Sequence, residues 1–179
     1  MQVTVLPSGF KLRPARLIDA QSIARIHVGS WRETYRGIIS QRHLEARTVK
    51  DRTEIWHLVL SDLPKDRVFI NVEDQTGDIV GFAYGGPARE LGFGPSGELY
   101  AMYLLKKCQG RGVGRALFSA FRTELGDAGM NDLYALVLEG NSAKGFFLKM
   151  GGRFNGYGTV TRPGRRGGRR FAEERFDWE

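Results

Sequence analysis

The stretch from Glu98 to Asp127 constrains the fold more than any other part of the chain. Glu98 to Leu105 is apolar on both faces after its first residue, which is typical of a strand in the middle of a sheet covered on both sides. A glycine-rich segment from Gln109 to Arg115 follows. Val113 to about Asp127 then places apolar side chains along one face of a helix. We therefore expect a central strand that turns sharply into an amphipathic helix.

The rest of the chain divides into further predicted helices and strands. Apolar residues at helical spacing predict a first helix from Ile18 to Ser30 and a less regular helical region from about Gln41 to Leu60. Arg67 to Glu73 and Ile79 to Tyr84 have the pattern of strands joined by a hairpin turn, so they should pair antiparallel. The later predicted elements are a buried strand, Leu133 to Leu138, a short helix capped by Asn141 or Ser142, and two strands between Arg153 and Asp177 around the turn Arg162-Pro163-Gly164.

This order of elements predicts a mixed α+β fold with a central sheet between helices. The chain has 179 residues, which are enough for one good core but short for two. It shows no internal repeat and no interdomain linker. Residues 1–179 are therefore predicted to form a single domain.

The composition argues against a membrane protein, a disulfide-stabilised protein and a metal-binding protein. No stretch approaches the roughly 20 apolar residues of a membrane span, and the first residues lack the pattern of a signal peptide, so we expect a soluble cytoplasmic protein. Cys108 is the only cysteine, which excludes an internal disulfide. The three histidines are too widely spaced to share a helical turn, and we expect no metal site.

The net charge of +7 suggests affinity for anions, which include nucleic acid, membrane surfaces and polyphosphate cofactors. Five arginines fall between Arg162 and Arg170. That segment lacks interleaved aromatic residues and is more simply explained as an exposed hairpin turn. We therefore do not expect nucleic-acid or membrane binding, although the arginines could face an acidic acceptor, a protein partner or a second copy of the chain in a homodimer.

The glycine-rich segment has the properties of a phosphate cradle. Its glycines allow a sharp turn, and successive backbone N–H groups at the start of the following helix point outward at an anion. Arg111 and Arg115 add charged donors beside it, which suits a pyrophosphate. The segment is not a mononucleotide P-loop, because no Gly-Lys-Ser or Gly-Lys-Thr occurs. A dinucleotide fingerprint is also excluded, because Glu139, the acidic residue after the next predicted strand, lies too far from the glycines and the element order is wrong.

At these residues the sequence resembles the GNAT superfamily of N-acetyltransferases, whose pyrophosphate loop reads Gln/Arg-x-x-Gly-x-Gly/Ala. Gln109-Gly110-Arg111-Gly112-Val113-Gly114 fits that motif fully. The likeness extends back to Glu98, forward through Glu139 to Gly152, and to the segment from Trp31 to Ile38. It implies a mostly antiparallel sheet whose central strand splays from its neighbour before the loop, and an acetyl-CoA-dependent acyltransferase that acetylates a primary amine of a small molecule, peptide or protein.

The resemblance also implies which residues hold acetyl-CoA. The backbone of the splayed strand would pair with the pantetheine arm, the loop would hold the pyrophosphate, and the asparagine after the next strand would bond the pantetheine. These predicted cofactor-binding residues are Met102, Tyr103, Leu104, Gln109, Gly110, Arg111, Gly112, Val113, Gly114, Arg115 and Asn141.

Direct transfer needs a base for the acceptor ammonium, donors for the oxyanion and an acid for the leaving thiolate. Glu98 is the candidate base, although a solvated charge at a strand end is an equally good interpretation. The backbone N–H near Leu104 would hold the oxyanion. Phe147 stands where family members usually carry a tyrosine acid, and Tyr157 and Tyr134 are candidate replacements.

Three alternatives remain open from the sequence. Cys108 adjoins the loop and invites a covalent acetyl-thiol mechanism, but no histidine lies near it in sequence. The missing tyrosine hydroxyl at Phe147 allows an acetyl-CoA-binding sensor with little or no catalysis. The basic segment allows a nucleic-acid-associated or ribosome-associated module. We expect residues 29–40 and the Gly85 to Gly97 loop to shape the acceptor pocket.

Overall fold

The computed structural model describes residues 6–89, 94, 96–160 and 171–179. The helices are α1 (Ala20–Tyr35), α2 (Gln41–Glu45), α3 (Val49–Ser61), α4 (Val113–Asp127) and α5 (Lys144–Lys149). The strands are β1 (Phe10–Pro14), β2 (Val68–Asp74), β3 (Ile79–Pro87), β4 (Gly97–Leu104), β5 (Leu133–Leu138), β6 (Arg153–Val160) and β7 (Phe171–Trp178). No helix in these ranges has the length and apolar character needed to cross a membrane.

The seven strands form one sheet in the order β1-β2-β3-β4-β5-β7-β6. β4 and β5 pair in parallel, whereas the other neighbours pair antiparallel. β4 lies at the centre of the sheet, as its apolar sequence predicts. The predicted α+β class with a mostly antiparallel sheet is therefore confirmed.

Apolar clusters cover both faces of this sheet. On one face, α4 buries Leu117 and Phe121 against the strands. On the other face, α1 and α3 contribute Ile23 and Trp56, which pack with Phe82 of β3. Full burial of each such side chain contributes about 1.5–3 kcal/mol, so the two layers together hold β4 in a fixed position.

The helical regions differ from the prediction in two places. α1 continues past its predicted end, because Trp31 and Tyr35 face inward and pack near Leu138 in a third cluster. The second helical region is split into α2 and α3. The break occurs because Thr48 caps α3, its side chain accepting a hydrogen bond from the backbone N–H of Asp51 at 3.1 Å.

The edge strand β1 was not predicted, and a buried ion pair joins it to the start of α1. The Arg13 guanidinium donates to both Asp19 oxygens at 2.6 and 2.9 Å. The Arg16 backbone N–H donates to the same carboxylate at 2.7 Å. Burial opposes ionisation of Asp19, but these hydrogen bonds outweigh it and hold its pKa below the usual value. The carboxylate is thus charged in the folded protein and locks β1 onto the helix.

The predicted short helix is present as α5, but its predicted cap is wrong, because the N-cap is Ala143 and neither Asn141 nor Ser142 occupies that position. The other predicted elements agree with the structure. α4 and β5 have the predicted bounds, β2 and β3 pair antiparallel, and β6 and β7 confirm the two predicted C-terminal strands. The predicted turn Arg162-Pro163-Gly164 and the arginines from 162 to 170 lie outside the described residues.

Candidate functional site

β4 and β5 separate in the middle of the sheet. Their parallel pairing joins residues 97–99 to residues 133–135 and ends there. On the other edge of β4, Tyr84 pairs with Ala101 whereas Gly85 pairs with Leu99. Tyr100 is therefore an extra residue on β4, which forms a β-bulge and bends the strand. This geometry confirms the predicted splay before the glycine-rich loop.

A cavity of about 570 Å³ lies between the separated strands, within the range of roughly 300–1,000 Å³ that is typical of small-molecule sites. Its walls come from both strands, from α1 and α5, and from the glycine-rich loop. The lining residues are Ser30, Thr34 and Tyr35, residues 99–104, Gln109, Gly110, Gly112, Gly114 and Arg115, residues 135–137, residues 141–143, and Phe146, Phe147, Lys149 and Met150.

The loop between β4 and α4 needs its glycines for conformation. Gly110 and Gly112 have φ values of +71° and +84°, in the left-handed region that L-residues with a Cβ avoid. Gly112 is the N-cap of α4, so the free backbone N–H groups of the first turn lie beside the cavity. The Gln109 side chain donates to the Leu104 carbonyl at 2.9 Å and braces the loop against the end of β4. The start of α4 is therefore built to receive an anion.

Most of the predicted cofactor-binding residues meet at this cavity. Those that line it are Met102, Tyr103, Leu104, Gln109, Gly110, Gly112, Gly114, Arg115 and Asn141. Arg111 instead places its guanidinium 5.0 Å from the centre of the Phe10 ring. Val113 is fully buried in the core beneath α4. Neither residue lines the cavity, and the predicted binding of the pyrophosphate by their backbone stays a prediction.

Asn141 ties α1 to the end of β5. Its Oδ1 accepts a hydrogen bond from the Ala143 backbone at 2.8 Å, and its Nδ2 donates to the Tyr35 hydroxyl at 3.0 Å. The predicted pocket segment 29–40 contributes Tyr35 together with Ser30 and Thr34. These three residues were not singled out individually, although their spacing along a helix that continued through Tyr35 would have placed them on one face.

Glu98 is buried in a hydrogen-bond network. Its side chain is held by Arg89, whose guanidinium donates to both carboxylate oxygens and whose backbone N–H donates to Oε2 at 3.0 Å. The Tyr134 hydroxyl donates to the same oxygen at 2.8 Å. Glu98 is 1% exposed, so it is not the solvated strand-end charge of the alternative interpretation. It does not line the cavity, and its role as base stays a prediction.

The position of the missing tyrosine and the two candidate replacements lie in different places. Tyr134 is fully buried and does not line the cavity. Phe147 lines the cavity and packs against Phe118 and Trp178, with ring centres 6.2 and 5.6 Å away. Tyr157 lies on the edge strand β6, is 63% exposed and contacts Phe154. The structure does not bring Tyr157 to the cavity, because an edge strand separated from β5 by β7 carries it. Its candidacy as the acid is unsupported by the geometry.

Cys108 is buried in the core and does not line the cavity. A thiol in that place does not face the cavity, which disfavours the covalent alternative. Over the residues that the structure describes, no group of three or more His, Cys, Asp and Glu side chains could hold a metal ion. Of the predicted Gly85 to Gly97 loop, residues 90–93 and 95 lie outside the described part of the chain, as does the basic segment.

Comparison with known proteins gives consistent matches. The family model described as Acetyltransferase (GNAT) family matches residues 28–152. The uncharacterized N-acetyltransferase YuaI of Bacillus subtilis (strain 168) is 36% identical over 136 residues, which are 76% of this chain and 76% of YuaI. The match to the family model includes β4, the glycine-rich loop and Asn141.

Solved structures share the fold at low sequence identity. The GCN5-related N-acetyltransferase from Rhodopseudomonas palustris matches with a TM-score of 0.73 and 24% identity, over 99% of this chain and 98% of that one. The yncA protein of Salmonella typhimurium, a putative acetyltransferase solved with acetyl-CoA, matches with a TM-score of 0.69 and 19% identity, over 96% and 94% of the two chains.

Proposed function

Because the chain belongs to the acetyltransferase (GNAT) family, we propose that it transfers the acetyl group of acetyl-CoA to a primary amine by direct attack while both substrates are bound. The observation that carries the proposal is the opening between β4 and β5 directly before the glycine-rich loop. An extended ligand in this opening can pair with the free edge of β4 along its length. At its end, the ligand meets the start of α4, where backbone N–H groups can bind a phosphate.

The cofactor would lie along this opening. Its pyrophosphate would accept hydrogen bonds from backbone N–H groups near Gly110 and Gly112, with the Arg115 guanidinium adding a charged donor. Its pantetheine arm would run beside Met102 to Leu104 and reach Asn141. The acetyl group would then sit near Tyr100, where the bulge turns the backbone of β4. The acetyl-CoA in the related yncA structure supports this choice of cofactor.

In the transfer step, the amine nitrogen would attack the thioester carbonyl carbon and form a tetrahedral intermediate. A backbone N–H of β4 between Tyr100 and Leu104 would stabilise its oxyanion, because this segment faces the cavity without β5 beside it. Collapse of the intermediate would break the carbon–sulfur bond, and coenzyme A would leave as a thiolate. The amine nitrogen would release one proton to solvent, which completes the amide.

The described part of the cavity lining supplies no carboxylate or imidazole for proton transfer. Of the described residues that line the cavity, none is an aspartate, a glutamate or a histidine. We therefore propose that the acceptor reacts as its free base. Glu98 and its hydrogen-bond partner Tyr134 are both buried and do not line the cavity. The thiolate can leave without an acid, because a thiol has a pKa of about 8.5.

The experiment that tests the proposal follows release of coenzyme A thiol by the purified protein with acetyl-CoA and a panel of primary amines. We expect amine-dependent release and intersecting initial-rate lines, as direct attack in a ternary complex requires. Parallel lines, together with a protein that gains one acetyl group without amine, would indicate a covalent route. Tight cofactor binding with no release above the buffer rate would instead identify a binder or sensor.

A further inference from the structure

We propose that the acceptor carries a carboxylate and that Arg67 binds it, an inference that rests on the acetyl transfer proposed above and names its substrate class. Arg67 directly precedes β2 and lies half-buried beside the bulge residue Tyr100. Its guanidinium carbon is 4.9 Å from the centre of the Tyr100 ring. The acceptor would therefore be an amino acid or a similar small amine with an anionic group.

Arg67 has unused hydrogen-bonding capacity. Its Nε is buried and has no hydrogen-bond partner, and its Nη1 makes only a long contact of 3.4 Å with the Tyr84 hydroxyl. Within the described ranges, Arg67 forms no ion pair. A half-buried guanidinium that lacks an anion gains strongly when one binds, because hydrogen bonds between two charged groups are the strong ones.

The neighbouring arginines differ from Arg67 in this respect. Arg89 also lies over the Tyr100 ring, at 4.4 Å, but its charge is paired with Glu98. Arg175 lies over Tyr134 and is paired with Asp177 at 2.6 Å. The protein thus neutralises Arg89 and Arg175, whereas Arg67 has no acidic partner among the described residues and can bind an anionic ligand.

The position of Arg67 is maintained by the strand beside it. A Cβ at Gly86 would come within 2.5 Å of the Arg67 Cδ, so the glycine leaves room for the side chain to cross β3. This path leads to Tyr100, which lines the cavity where β4 and β5 separate. Tyr84 stacks beside Tyr100 with ring centres 5.2 Å apart and packs in the cluster under α1 and α3. Arg67 therefore faces the side of the sheet opposite α4, from which an acceptor can approach the thioester.

Charge balance also favours an acceptor of this class. The Arg67 guanidinium would repel a simple ammonium, whereas an amino acid brings a carboxylate to Arg67 and keeps its amine for the thioester. A planar guanidinium can bind that carboxylate through two parallel hydrogen bonds, which fixes its orientation. Arg67 would thus act as a binding residue that orients the amine and leaves the chemical step itself to other groups.

The test compares amino acids with their own carboxamides, for example glycine with glycinamide and alanine with alaninamide. Each probe is titrated by calorimetry into protein saturated with coenzyme A, and acetylation is measured in parallel. We expect the preferred amino acid to bind about 10–100-fold more tightly than its carboxamide, and Arg67→Gln to remove this difference. Arg25→Gln removes one charge from an exposed position on α1 and should keep the difference.

Two results would overturn the inference: equal affinity of amino acids and carboxamides for the wild-type protein, or a preference that survives in Arg67→Gln. Arg67→Lys should restore part of the preference, because it keeps the charge but loses the paired donors. Failure of the proposed function looks different. In that case amino acids would bind with the expected preference and no probe would be acetylated.

Discussion

Replacing Gly110 by alanine separates backbone strain in the glycine-rich loop from contact with the cofactor phosphates. Gly110 has a φ of +71°, and a Cβ placed there meets no heavy atom within 4 Å. The methyl group therefore fits the unliganded protein. The folded state loses only the free energy of holding an L-residue in a left-handed conformation, about 1–2 kcal/mol. For a chain of this length that lowers the melting temperature by about 2–8 °C.

Binding of coenzyme A should suffer in addition. Gly110 lines the cavity, and a phosphate that accepts hydrogen bonds from the loop must approach this backbone closely. A methyl group on that path displaces at least one charge-assisted hydrogen bond, which contributes about 1.5–3 kcal/mol. The dissociation constant of coenzyme A should therefore rise about 10–150-fold.

Gly77→Ala is the matched control. Gly77 has a φ of +84°, and a Cβ there also meets nothing within 4 Å, but it lies in the turn between β2 and β3 and does not line the cavity. Both variants should lose similar stability in thermal unfolding, and only Gly110→Ala should lose affinity in calorimetry. Affinity for acetyl-pantetheine, which lacks the pyrophosphate, should change little in either variant. Equal coenzyme A affinity in the two variants would refute the assignment of the loop to the phosphates.

Three further substitutions test other parts of the account. Glu98→Gln should lower the free energy of unfolding by about 1–3 kcal/mol in urea, because Arg89 loses its carboxylate partner. If Glu98 is the base, the rate of acetyl transfer should also fall, chiefly at low pH. An unchanged pH–rate profile would remove Glu98 from the mechanism. Asp19→Asn should destabilise the protein by about 2 kcal/mol at neutral pH. The pKa of Asp19 is held below its usual value, so this stability exists above about pH 4 and disappears as the pH falls further; an equal loss at about pH 2 would contradict the ion pair with Arg13. Cys108→Ala should leave the rate within about twofold, since the thiol is buried away from the cavity, and a loss of more than a hundredfold would revive the covalent route.

Much of the fold was predictable because its strongest elements have clear apolar periods. α4 and β5 match their predicted bounds, and β4 could be placed at the centre because it is apolar on both faces. α1 was predicted too short because the inward positions of Trp31 and Tyr35 depend on Leu138, which is distant in sequence. β1 escaped prediction because a five-residue edge strand has too few residues to show a period.

The glycine-rich loop was predictable from the sequence, because its function depends on its own backbone conformation. The parts of the site at which residues distant in sequence meet were harder to predict. The glycines of the loop indicate both its turn and its ligand. The bulge at Tyr100 arises from the register of β3 against β4, and the burial of Glu98 depends on Arg89 in the following loop region and on Tyr134 of β5. Tyr157 was a candidate only by residue type, and the strand order places it at the far edge.

The most direct test of acetyl transfer is a single-turnover experiment with protein in excess over isotope-labelled acetyl-CoA and an amine that supports thiol release. Mass spectrometry then counts labelled N-acetylated amine against coenzyme A released. Direct transfer predicts one labelled amide for each coenzyme A and no labelled protein. Coenzyme A release without labelled amide, or no release from the bound cofactor with any amine, would contradict the account.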